Sequence, residues 1–306
     1  MASPFGAEAS RIGIKLSPDT RSEYNEYPYY LSGLKMRSLD VARRIFGTGL
    51  SFALFGIGGV LLSLSLFPLL RLFSPDAAVA RRRIQRAMQL MFALFIGTMK
   101  TLGVITYELH GIEKLRRPGQ LIVSNHPSLI DVVFLVSLLP QVDCIVKVGL
   151  WRNPFLRWPV AWAGYIPNTH GEELVERCAA TLRRGNSLLV FPEGTRTTPG
   201  AGISIKRGAA QIALASRADI LPVTIRCVPP MLGKHVPWYR VPERAGHFTI
   251  TVGEPVPASD YCLPGEPQSV AARRLTRWLR ACYSTEESRR AALGSASADD
   301  ALGAKV

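Results

Sequence analysis

The sequence predicts an α/β fold, a central mixed sheet flanked by helices, with a membrane-associated helical segment on its N-terminal side. Three observations carry that prediction. Residues 45–70 contain no charged side chain. Beyond Tyr107, short apolar runs alternate with stretches of helical periodicity, the pattern of strands laid between helices. Two polar, turn-rich segments, 124–131 and 191–196, each follow one of the strand-like runs.

Composition bounds the rest. At about 150 residues per domain, 306 residues make roughly two domains or one domain with an appendage. An apolar content of 47% excludes a disordered chain. Thirty-seven Lys and Arg against 23 Asp and Glu leave a net charge of +14, a surface that attracts anionic membranes, phosphate-bearing substrates or nucleic acid. The cations are spread without a helix-turn-helix, RNP or zinc signature, so no nucleic-acid partner is expected. Five cysteines without paired spacing suggest a reducing compartment rather than a disulfide framework. The five histidines form no metal-binding spacing, so neither a metal nor a bound cofactor is expected. Oligomeric state leaves no mark on the sequence.

The elements follow in order. Residues 1–44 are a polar, mixed-charge extension without the apolar core and small-residue exit of a cleavable leader. Residues 45–107 form the membrane-associated region. Its 26-residue uncharged run would extend about 39 Å as a helix, against a hydrocarbon core of about 30 Å. Five glycines, three serines and Pro68 dilute its apolarity, and arginines flank both ends, so orientation is not fixed. The second uncharged stretch, 87–99, is too short to span and reads as an interfacial or buried helix behind Arg81, Arg82, Arg83 and Arg86. A single span, an interfacial or re-entrant pair, and a soluble two-helix cap all remain open.

The α/β domain occupies 108–283. Strands are expected at 120–123, 144–148, 187–191, 220–225 and 248–252, with helices at 129–139, 172–184 and 207–216. Residues 268–283 carry Arg273, Arg274, Arg277 and Arg280 at helical spacing, a solvated helix face. Residues 284–306 lack an apolar face and read as a disordered tail.

The chemistry lies in the two polar segments. On one continuous helix His126 and Asp131 would diverge by about 140° and never meet. Pro127 changes this: it pushes His126 to extended geometry, on a turn, while Asp131 falls in the first or second turn of a helix begun at Pro127 or Ser128. The carboxylate then reaches back to the imidazole, fixes its tautomer and raises the basicity of the far nitrogen, as a general base requires. A His and an Asp five apart are common on their own. In the second segment a strand ends at Pro192, and Gly194 permits close backbone approach. There Arg196 can grip phosphate oxygens, Thr195 can donate a hydroxyl, and Glu193 can orient the arginine or bind an acceptor hydroxyl.

Together, Asn125-His126-Pro127-Ser128-Leu129-Ile130-Asp131 and Phe191-Pro192-Glu193-Gly194-Thr195-Arg196 resemble the NHxxxxD and FPEGTR motifs of the glycerolipid acyltransferases, the lysophosphatidate acyltransferase family. The resemblance runs from about residue 108 to 257 and takes in Lys147, Lys206-Arg207-Gly208, Leu221-Pro222-Val223 and Gly253-Glu254-Pro255. It implies His126 and Asp131 as the catalytic pair, with Asn125, Lys147, Glu193, Gly194, Thr195 and Arg196 binding substrate. It further implies a membrane enzyme with its site facing the cytoplasm, moving a fatty acyl group from acyl-CoA or acyl carrier protein to the hydroxyl of 1-acylglycerol-3-phosphate. The tetrahedral oxyanion would need donors, for which amides near Gly194 or at the start of the helix after His126 are candidates.

One departure stands out. Where the family commonly ends its second block with an arginine, this chain has Gly164-Tyr165-Ile166-Pro167-Asn168. The alternative is therefore an acyltransferase of the same family acting on a different, non-phosphate lipid or specialised acceptor. A membrane anchor without enzymatic activity would leave the His, Asp, Glu and Arg set as coincidence. A serine hydrolase would need a G-x-S-x-G elbow, which the sequence lacks.

Overall fold

A computed structural model of the chain describes residues 28–152, 157–169, 171–197 and 203–284. The expected N-terminal extension up to residue 27 and the expected tail from 285 lie outside the described residues. Two compact units divide between Arg43 and Arg44. In the first, residues 28–43 are helical and Arg43 pairs with Asp40 at 3.4 Å. The second holds everything that follows.

Three helices precede the sheet: α1 (Pro28–Leu64), α2 (Leu66–Leu72) and α3 (Ala77–Thr101). The uncharged run is interrupted at Ser65, three residues ahead of Pro68, whose ring nitrogen has no hydrogen to donate. Helix α3 starts at Asp76, which accepts the Val79 amide at 2.8 Å as an N-cap. Its buried stripe, Ala80, Ile84, Met88, Phe92, Phe95, Ile96 and Met99, recurs every three or four residues and faces the domain core. The 87–99 stretch is thus the second half of a longer amphipathic helix. Phe52 and Phe55 of α1 pack on Phe92 and Phe95 of α3, with ring centroids 4.9 to 5.4 Å apart. By length and composition the run Ser38–Leu72 is able to cross a membrane, its most apolar 18-residue window having a mean hydropathy of 2.1. Its far end nevertheless returns to the domain, where Pro68, Arg71, Leu72, Ser74 and Pro75, with Asp76, Ala77 and Trp162, line an open depression of about 620 Å³.

The sheet has seven strands: β1 (Ile105–His110), β2 (Leu121–Ser124), β3 (Asp143–Val146), β4 (Ile166–Pro167), β5 (Leu188–Val190), β6 (Ile220–Val228) and β7 (Gly246–Val252). Their order is β1-β7-β6-β2-β5-β3-β4. All neighbours run parallel except β6 and β7, so the sheet is mixed, as expected. Central β2 is buried along its whole length and its side chains alternate between two cores. Ile122 enters the core under α3 and α4 (Asp131–Leu138), whereas Leu121 and Val123 enter the opposite core. That second core is closed by α7 (Glu172–Arg183), α8 (Gly208–Ser216) and α9 (residues 268–284); the short α5 (Val148–Arg152) and α6 (Arg157–Trp162) lie between β3 and β4. On α9, Ala271, Leu275, Leu279 and Tyr283 are buried while Arg273, Arg277 and Arg280 face out.

The expected strands and helices are all present, shifted at most three residues at their ends. The sequence reading missed β1, an outer strand whose Thr106, Glu108 and His110 point away from the core and break the apolar run, so the sheet begins at Ile105 rather than after Tyr107. It also missed β4, α5 and α6, which at 2, 5 and 6 residues are too short to display a period.

Candidate active site

Strands β2, β3, β4, β5 and β6 run parallel, so the loops after them emerge on one edge of the sheet. That edge is the usual place for a site in an α/β sheet. The ladder between β2 and β6 ends with Ser124 opposite Val223. One residue on, the side chain of Asn125 continues it: Nδ2 donates to the Ile225 carbonyl at 2.9 Å, and Oδ1 accepts the Ile225 amide at 2.7 Å. Asn125 thus serves as a clasp between strands, a role the substrate-binding assignment did not anticipate.

The chain then turns at His126 and Pro127. Helix α4 begins at Asp131, later than the expected Pro127 or Ser128, because Ser128 to Ile130 form a separate turn. The Asp131 carboxylate closes this turn. Its Oδ2 accepts the Ser128 amide at 2.6 Å and meets His126 Nδ1 at 2.8 Å, so the predicted pair is brought together. Asp131 is fully buried, and the His126 side chain is 16% exposed. Burial pushes the Asp131 carboxyl above its ordinary value, against the opposing His126 hydrogen bond and charge, the Ser128 amide and the charge of Arg196. The imidazole lies against the Phe191 ring, centroids 4.4 Å apart.

The loop after β5 is fastened to His126 from the other side. Glu193 Oε1 accepts both the His126 amide at 3.0 Å and the Thr197 hydroxyl at 2.8 Å, and the Thr197 amide donates to the His126 carbonyl at 2.7 Å. Glu193 therefore joins the two motif loops through Oε1. Burial raises its pKa, against the hydrogen bonds from Thr197 and the His126 amide. Gly194 has a φ of +69°, and a Cβ there would meet Lys206 Nζ at 2.8 Å, so the glycine serves both the turn and the lysine laid across it.

Arg196 is half-buried, and its Nη1 donates to the carbonyls of Leu232 at 3.1 Å and Gly233 at 2.8 Å. The Leu232 carbonyl also accepts the Leu129 amide at 3.0 Å. The guanidinium thus spends one nitrogen on the loop after β6 and keeps further donors on its fork. Thr195 is exposed beside it, and Lys147 is exposed at the end of β3, two strands from β2. Asn168 is exposed at the end of β4, on the same edge. Of the amides considered for an oxyanion, that of Gly194 donates to the Phe191 carbonyl, that of Ser128 to Asp131 and that of Leu129 to Leu232. Sequence reasoning missed Thr197, Leu232 and Gly233, and it assigned no role to Phe191 of the second motif, whose ring backs His126. Only Thr197 had a visible signal, a hydroxyl one residue past the motif.

Replacing Glu193 tests its role as a joint. Glu193→Ala leaves the His126 amide and Thr197 hydroxyl without their acceptor and is expected to cost about 2 kcal/mol, whereas Glu193→Gln keeps an acceptor oxygen. Because the folded-state pKa is raised, the acid's contribution is present at low pH and lost as pH rises through that pKa. Gln cannot ionise, so its deficit against wild type should shrink or reverse as pH rises, measured by denaturant unfolding across pH.

A buried carboxylate bonded to a histidine thus lies at the open edge of a mixed α/β sheet. Residues 106–226 match the family model described as Acyltransferase. A chloroplastic 1-acyl-sn-glycerol-3-phosphate acyltransferase of Arabidopsis thaliana is 32% identical over 108 residues, covering 34% of this chain and 30% of the relative. The enzyme of that name from Pseudomonas aeruginosa is 27% identical over 138 residues, covering 43% and 53%. The chain thus matches less than two thirds of the length of these relatives. The crystal structure of the 1-acyl-sn-glycerophosphate acyltransferase of Thermotoga maritima aligns with a TM-score of 0.58 at 19% identity, covering 78% of this chain and 97% of that one, and shares its fold.

Proposed function

We propose that the protein is a membrane-associated O-acyltransferase that moves a fatty acyl group from an acyl thioester to the hydroxyl of a lysophospholipid, 1-acylglycerol-3-phosphate. The observation that carries this reading is the bond between His126 Nδ1 and Asp131 Oδ2, which leaves Nε2 for the substrate. Nε2 takes the proton of the acceptor hydroxyl as its oxygen attacks the thioester carbonyl. Asp131 holds Nδ1 protonated and stabilises the imidazolium. When the tetrahedral adduct collapses, the carbon–sulfur bond breaks and the imidazolium returns its proton to the departing thiolate. No covalent enzyme intermediate is needed. The donor is acyl-CoA or acyl carrier protein, presented from the cytoplasmic side.

The exposed apolar side chains of the helical region support attachment to a membrane. Leu54, Ile57, Leu61 and Leu64 of α1, Leu69 and Leu72 of α2, and Leu90 and Leu94 of α3 are exposed apolar side chains, and α3, against which α2 and the Phe52 and Phe55 rings of α1 lie, packs on α4 of the domain. Full-length protein should sediment with membranes and be released by detergent. Recovery in the soluble fraction without detergent would end this reading.

The reaction is tested by supplying acyl thioester and lysophosphatidate to the purified protein while thiol release and lipid products are followed together. Thiol release with free fatty acid and no acylated lipid would make it a thioesterase. A specific observation favours a second acceptor class: Asn168 stands where the family commonly has arginine, and Arg196 spends one nitrogen on carbonyls. If Arg196 binds an acceptor phosphate with its remaining donors, Arg196→Ala raises the KM for lysophosphatidate about tenfold or more, and Arg196→Lys rescues in part. Asn168→Arg should then improve use of lysophosphatidate. If the native acceptor lacks a phosphate, the same change weakens the native reaction, read by competition between lysophosphatidate and neutral lipid alcohols.

A further inference from the structure

The loop between β6 and β7 plays no part in the proton transfer, yet its composition is unlike that of an ordinary surface loop. Residues 235–240, His-Val-Pro-Trp-Tyr-Arg, are all exposed, and three of them are large and apolar or aromatic: Val236 at 38%, Trp238 at 46% and Tyr239 at 56%. The same stretch carries three cations, Lys234, Arg240 and Arg244, and one acid, Glu243. The Trp238 and Tyr239 rings stack edge to face, centroids 5.7 Å apart, so the aromatic pair is held as a unit.

Its position gives this pair a meaning. The Trp238 ring lies against α1 at Gly49, where a Cβ would come within 3.1 Å of it, and Arg44 Nη2 donates to the Glu243 carbonyl. The loop is therefore fixed to the basic-flanked beginning of the 45–70 apolar run, one turn from Phe46, which is 69% exposed. Tryptophan and tyrosine rings bordered by cations, beside an apolar helix face, match the headgroup level of a bilayer: the rings tolerate its mixed polarity and the cations meet anionic phosphates. At its other end the same loop supplies the Leu232 and Gly233 carbonyls that hold Arg196.

We propose that residues 234–244 dock into the headgroup layer of an anionic lipid bilayer as a second membrane contact, alongside the exposed face of α1 to α3. This rests on the membrane attachment proposed above and adds to it a surface outside the helices. An acidic carrier protein is the competing occupant of a basic, aromatic loop. The bilayer is favoured because the loop is continuous with the apolar helix face.

The test is amide hydrogen exchange on the full-length protein bound to phosphatidylcholine vesicles with and without phosphatidylglycerol. Amides at 235–240 should exchange about tenfold more slowly on the anionic vesicles than in detergent. Shallow-brominated lipid should quench a component of tryptophan emission that Trp238→Phe removes and Trp158→Phe retains. Arg240→Glu with Arg244→Glu should weaken the anionic preference by about fivefold for each cation lost, with vesicle sedimentation retained through α1. If the protein sediments with vesicles but 235–240 exchange as in detergent and Trp238 goes unquenched, the loop proposal is overturned and the membrane reading stands. If the protein does not sediment, both fail. Protection of 235–240 by acyl carrier protein in detergent, absent on vesicles, would give the loop to the carrier instead.

Discussion

His126→Ala is expected to lower acyl transfer by about 10²–10⁴-fold, the contribution of a positioned general base, with little change in the KM of either substrate. The ring touches Phe191 and Asp131 and carries the base in the proposed step. Its removal also takes the strongest opposing influence from a carboxyl that burial already pushes upward. The Asp131 pKa then rises further, so the variant is most stable at low pH and loses stability as pH rises through the folded-state value. Turnover is therefore compared at a pH where circular dichroism finds the variant folded. Asp131→Asn should cost about 10²-fold or more in kcat, because an amide no longer enforces the tautomer with Nε2 free of its proton. Near-normal turnover in folded His126→Ala would end the general-base mechanism.

The largest stability effect is expected far from that site. Arg81 of α3 pairs with Asp143, which is buried at the start of β3, and donates through Nε to the Ala163 carbonyl at 3.2 Å. Gln85 Nε2, one turn on, donates to Asp143 Oδ1 and to the Ala163 carbonyl, both at 2.8 Å. This clamp ties the amphipathic helix to the block that ends in Asn168. Arg81→Ala strands a buried carboxylate and should cost about 3 kcal/mol at alkaline pH. Burial already raises the Asp143 pKa, opposed first by the Arg81 charge. Without Arg81 it rises further, so the carboxyl is tolerated as the neutral acid at low pH and the deficit grows as pH rises through the folded-state pKa. Gly164→Ala should act through the same joint: the residue has a φ of +72°, and a Cβ there collides with the Arg81 guanidinium. Denaturant unfolding at two pH values measures both variants. A pH-independent deficit in Arg81→Ala would show that packing, not the charge, holds α3 in place.

Much of this protein was determined by local sequence. Pro127 after His126 dictates an extended turn, and a carboxylate five residues on can then reach the imidazole; the structure adds a distance to that inference. The buried strands and the periodic helices were legible because apolar runs and 3.6-residue stripes depend on the burial of one face alone. The expected alternation of strand and helix likewise yields the parallel half of the sheet.

What tertiary structure decided is where polar groups spend their hydrogen bonds. Asn125, Glu193 and Arg196 belong to motifs whose residue types suit substrate binding, yet the first joins β2 to β6, the second joins two loops, and the third is partly held by Leu232 and Gly233. A donor or acceptor in a sequence has no fixed partner; its partner is set by which strands become neighbours. Arg81 makes the same point: beside Arg82 and Arg83 it reads as part of a solvated basic face, and only the docking of α3 brings it to a buried Asp143 62 positions away, a separation over which sequence carries no signal of proximity.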